Sequence, residues 1–98
     1  MKIPKRIVVN GHEFTVSLIV GDTRFASAGD VCNWTKTIRI NTADEAAEST
    51  QAEALLHELI EIIDHDNELK LSHNTICTLG EQLFGIIRNN NLDFITKE

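Results

Sequence analysis

Cysteine and proline are scarce in this chain, with two of the first and one of the second in 98 residues. Cys32 and Cys77 are too few for a disulfide framework. They are expected as reduced thiols in a cytosolic protein, each more often a packed thiol than a nucleophile. No apolar run approaches the ~20 residues that a membrane span needs. The first residues, Met1 to Arg6, carry charge without an apolar segment behind them, so no membrane association is expected. P-loop, dinucleotide and CxxC signatures are absent. Basic residues also run short beyond residue 40, where three Lys/Arg accompany twelve Asp/Glu, against six and three before it. That balance argues against a duplex-binding face in the second half, and no nucleic-acid partner is expected. It suits a cation site or a solvated helix surface.

What is present has an ordinary globular balance, 42% hydrophobic and 24% charged, and residues 1–98 read as a single domain without repeats or linkers. Arg6 to Val9 is short and β-branched, and Asn10-Gly11 after it suits a tight hairpin turn. In the next stretch Phe14, Val16 and Leu18 alternate with Glu13, Thr15 and Ser17, the pattern of a half-buried strand. Asp30 to Asn33 predicts a short strand and Thr37 to Asn41 a clear one, with Trp34 packed beneath the strands. The expectation is therefore a small antiparallel sheet of three to four strands over about residues 6–41, since the connections look too short for crossovers.

Helix-start chemistry follows in Thr42 to Thr50, where hydroxyls and acids can cap free N–H groups. One helix is expected over about residues 49–66, with Asn67 ending it, and a second over about 72–89 with Ser72 as its N-cap. Leu92 to Ile95 can tuck back onto the domain. The fold class is thus α+β, a sheet packed against two helices.

On the first helix Leu55, Leu56, Leu59, Ile60, Ile62 and Ile63 fall within roughly 80° of Ala52. His57, Glu61 and Asp64 gather on the far side, flanked by Glu58 and His65. A solvated polar face explains such a stripe as readily as a metal site does. On the second helix Ile76, Leu79, Leu83, Ile86 and Ile87 share a face, His73 lies at its border, and Glu81 points away.

The stretch from Glu53 to Asp64, with His57-Glu58 followed by Glu61, resembles the active-site helix of minimal zincin-like metallopeptidases of phages and prophages. Those carry H-E-x-x-H, two histidines one helical turn apart with a glutamate beside the first. The strand Thr37-Ile38-Arg39-Ile40, the segment Asp30-Val31-Cys32-Asn33 and the apolar spacing from Leu71 to Asn90 also match, so the similarity spans roughly residues 28–92. SprT-like zincins and phage-repressor-cleaving peptidases are more distantly similar. The resemblance implies a zincin-like fold, zinc, a peptide or protein substrate, and Glu58 as the catalytic residue.

Two departures stand out. Glu61 occupies the second histidine position, giving HExxE, and His73 occupies an acidic position of the family's next helix. An exchange of ligands would leave His57, Glu61 and His73, a set that zinc accepts with a fourth position open. Glu81 is the fallback third ligand, and Asp64 would then orient a ligand from behind. A carboxylate in place of imidazole is expected to weaken the metal as a Lewis acid. The functional expectation is a zinc metallopeptidase-like protein whose activity is weakened or lost. The alternatives are a catalytically silent zincin-like accessory or interaction module, and a small α+β interaction protein without metal.

Overall fold

The computed structural model describes residues 3–20, 28–42 and 47–92. Four strands, β1 (Arg6–Val9), β2 (His12–Ile19), β3 (Gly29–Cys32) and β4 (Thr37–Asn41), precede two helices, α1 (Glu48–Asn67) and α2 (His73–Asn89). The α+β class expected from the sequence is the class observed.

The β1–β2 hairpin turns at Asn10 (φ 53°) and Gly11 (φ 81°), the left-handed pair that matches the twist of adjoining strands. The sheet is mixed rather than wholly antiparallel. Its order is β1-β2-β4-β3, and the central pairing of β2 with β4 is parallel, with Val16 opposite Ile38 and Leu18 opposite Ile40. The chain leaves β2, lays β3 down at the far edge and hairpins back, so that β4 fills the gap. Short connections exclude a crossover only between strands adjacent in sequence. Here β3 itself lies within the connection.

Phe14, Val16, Ile38 and Ile40 on the inner sheet face meet Ala54, Leu55 and Ile62 of α1, and this is the core. Two expected core elements lie elsewhere. Trp34 is 92% exposed in the β3–β4 turn, and Cys32 is exposed on the outer face. A four-residue turn at a sheet edge has no layer beneath it to receive an indole. Cys77, half-buried, is not in the core cluster either.

Helix α1 starts with Ala47 as N-cap and no side-chain capping bond, so the capping expected of the preceding hydroxyls and acids is not used there; residues 43–46 lie outside the described residues. It ends one residue later than expected, with Glu68 rather than Asn67 left-handed. Ser72 caps α2 as expected, its hydroxyl accepting from Thr75 N–H at 3.1 Å. The short connector between the helices is tied down by Leu71 N–H donating to Asp64 Oδ1 at 2.9 Å.

The layers are sheet, then α1, then α2. Helix α2 packs on α1 and buries only Ile76 and Gly80, so Leu79, Leu83 and Ile86 stay 40–50% exposed. Of the tail, Leu92 is 42% exposed and Asp93 to Ile95 lie outside the described residues. No helix among the described residues is long and apolar enough to cross a membrane.

Candidate metal centre

Because α2 packs chiefly on α1, a cleft of about 860 Å³ opens between the edge strand β3 and α2, floored by α1. The polar stripe of α1 is therefore not opposite the core in open solvent. It faces this cleft, within the volume range typical of ligand pockets.

Gly80 sets the helix spacing. A Cβ built there would stand 3.6 Å from His57 Cα, an ordinary contact that leaves no room for a longer side chain. At this close approach each helix presents a pair of potential ligands one turn apart. On α1, His57 Nε2 lies 3.3 Å from Glu61 Oε2. On α2, His73 Nε2 lies 3.4 Å from Cys77 Sγ. Across the helices the His57 and His73 rings meet edge to face with centroids 5.6 Å apart. Donor atoms of His57, His73 and Cys77 all lie within 4.8 Å of one another. Two imidazoles and a thiol are donors that zinc prefers.

Of the residues singled out by sequence, His57 and His73 thus converge from separate helices. Glu61 reaches the cluster through His57. Glu81 and Asp64 line the same cleft outside the three-donor cluster, and Asp64 gives one carboxylate oxygen to the connector. Sequence reasoning weighed Cys77 singly and missed it. The available signal was its spacing: His73 and Cys77 stand i, i+4, the same one-turn spacing as His57 and Glu61.

Glu58 is the one charged residue of the described chain that is buried, at 5% exposure. Its carboxylate turns toward β3, where Gly29 makes room: a Cβ on Gly29 would meet Glu58 Oε2 at 3.4 Å and Arg39 O at 2.8 Å. Burial, then the charges of Glu61 and Asp30, push the Glu58 carboxyl up to about 7. Asp30 itself is held by the Arg39 guanidinium, with Nε donating to Oδ1 at 2.8 Å and Nη2 to Oδ2. A carboxyl that exchanges its proton near neutral pH is suited to general acid–base work.

Comparison with protein-family models, curated proteins and solved structures returned no match.

Proposed function

We propose that this protein binds zinc between α1 and α2 and is a zincin-like metallopeptidase of the HExxE type. The observation that carries the reading is the convergence of His57, His73 and Cys77, with Glu61 against His57, beside a buried Glu58. His57 and His73 are the two assigned ligands, and Glu61 or Cys77 supplies the third. A zinc ion held by these residues would supply Lewis acidity toward water and a peptide carbonyl. Glu58 follows His57 in the chain and lines the same cleft, and in this reading its carboxylate takes the proton of the attacking water. As the new C–O bond forms and the C–N bond breaks, that proton passes from Glu58 to the departing amine.

A second reading, a catalytically silent zinc-holding module, is favoured by one specific observation. Both Glu61 and Cys77 stand beside the histidines, and if both ligate, four protein donors close the shell as in structural zinc sites. Elemental analysis of purified protein is expected to give one zinc per chain, lost in His57→Ala. Zinc-free wild-type protein after incubation with zinc, or zinc content unchanged in His57→Ala, overturns the site. Glu58→Gln is expected to keep the metal and abolish hydrolysis of peptides. Cobalt substitution separates the two readings. A thiolate-to-cobalt charge-transfer band that disappears in Cys77→Ser, together with no hydrolysis, favours the closed module; hydrolysis favours the open site.

A further inference from the structure

The donor set between the helices holds one group more than an open metal site uses. His57 Nε2 and Glu61 Oε2 are paired at 3.3 Å on α1, and His73 Nε2 and Cys77 Sγ at 3.4 Å on α2. The donors of His57, His73 and Cys77 lie within 4.8 Å of one another, and Glu61 joins them through His57. Together they are four, the number that closes a structural zinc site, whereas three leave a position free. Cys77 differs from the other three in its chemistry. The thiolate that ligates a metal is also a nucleophile toward peroxides, and the sulfenic acid so formed is reversible. The two cysteines of the chain are placed differently in this respect. Cys77 is half-buried and lines the cleft, where a small peroxide has access to it. Cys32 is exposed and does not line the cleft. Hydrogen bonds from the Thr35 side chain and from the backbone of Thr35 and Trp34 hold its thiol below the ordinary cysteine range. Oxidation of Cys32 therefore leaves the donor set untouched, and Cys32 is the thiol that a test has to remove.

We infer that Cys77 is a peroxide-modification site that opens the zinc site: reduced, its thiolate is the fourth donor, and oxidised, it leaves the metal to His57, Glu61 and His73. The inference rests on the zinc site proposed above and names its regulation. In the step, the Cys77 sulfur attacks one oxygen of hydrogen peroxide. An S–O bond forms as the O–O bond breaks, and the departing hydroxide takes a proton to become water. The sulfur is oxidised to sulfenic acid and the peroxide is reduced. The thiolate is the ligating form of cysteine, so the sulfenic acid gives up the metal. A thiol reductant reverses the change: one thiol displaces water to form a mixed disulfide, and a second releases Cys77. The three donors that remain are the set with an open position, so reduced and oxidised protein correspond to the closed module and the open site.

The test uses zinc-loaded Cys32→Ser protein, treated with hydrogen peroxide and then cleared of it with catalase. Zinc K-edge absorption spectroscopy is expected to show one sulfur at about 2.3 Å before treatment and none after it. Dimedone trapping and mass spectrometry are expected to place a sulfenic acid at Cys77, with zinc still at one per chain by elemental analysis. A thiol reductant added to untrapped protein is expected to restore the sulfur. The further variant Cys77→Ser is expected to hold zinc without sulfur from the start. Glu61→Ala in the same background is expected to release its zinc on oxidation, because only the two histidines remain. Cleavage of fluorescein-labelled casein is expected in the oxidised protein and in Cys77→Ser, and not in the reduced protein. Zinc bound without a sulfur neighbour in the reduced protein, no modification at Cys77, sulfur retained after modification, or zinc released while Glu61 is intact would each overturn the inference and leave the zinc site standing. Casein cleaved equally before and after oxidation overturns it as well. No zinc in the reduced protein overturns the site itself. Casein left intact by both forms, with the sulfur lost as expected, supports this inference and counts against the peptidase reading.

Discussion

Glu58 carries most of the chemistry legible at the scale of a single residue. Its carboxyl is raised in the folded chain from 4.5 to about 7, with burial as the largest cause. The folded state therefore holds the proton more tightly than the unfolded state between those values. The stability that this contributes is fully present below pH 4.5 and is lost as pH rises through 7. In metal-free protein, urea unfolding is expected to show falling stability from pH 5 to pH 8, with the fall much reduced in Glu58→Gln. At pH 8 the glutamine variant is expected to be more stable by on the order of 1–3 kcal/mol. A variant with the same pH slope as wild type would mean that Glu58 is well solvated. The sequence picked out Glu58 by its place beside His57. It gave no sign that the residue would be buried, because on the helical wheel Glu58 lies on the polar side. Its burial comes from the packing of α1 against β3, where Gly29 presents no side chain to the carboxylate.

At the scale of elements, the site depends on how closely α2 approaches α1. Gly80 fixes that distance by presenting no side chain to His57. Gly80→Ala is expected to keep zinc, since its Cβ would make an ordinary contact at 3.6 Å. Gly80→Leu is expected to push the helices apart and lose zinc while circular dichroism still reports the helices. Full zinc content in that variant would show that the donors do not depend on the helix contact. The interface between α1 and the sheet is a separate matter of stability. Ile62 is completely buried, and Ile62→Ala is expected to cost about 2–5 kcal/mol in chemical denaturation. Helix α2 illustrates the limit of periodicity. Its apolar spacing is strong, yet Leu79, Leu83 and Ile86 remain partly exposed because α2 packs chiefly on α1. A pattern of apolar residues shows which face seeks cover, not how much cover the tertiary arrangement provides.

At the scale of the whole molecule, the proposed zinc site, built across two helices, would couple metal to folding, because the unfolded chain does not hold His57 and His73 together. Zinc at about 100 times its dissociation constant is expected to add about 2.7 kcal/mol of stability. For a domain of this size that is a rise in Tm of roughly 10 °C or more by scanning calorimetry, reversed by a chelator and absent in His57→Ala. An unchanged Tm would argue against binding to the folded state. The sequence by itself determined the elements: three to four strands, two helices, the Asn10-Gly11 turn, the Ser72 cap, and the one-turn pairing of His57 with Glu61. Each depends on interactions within a few residues, on side-chain periodicity, turn conformation or a local hydrogen bond. Only the tertiary structure decided the sheet order, the exposure of Trp34, the burial of Glu58, and the entry of Cys77 into the donor cluster. Those depend on which elements become neighbours. That choice is made by the summed burial of Phe14, Ile38, Ile40 and Ile62 and by the gaps that Gly29 and Gly80 leave between layers, which spacing along the chain does not encode.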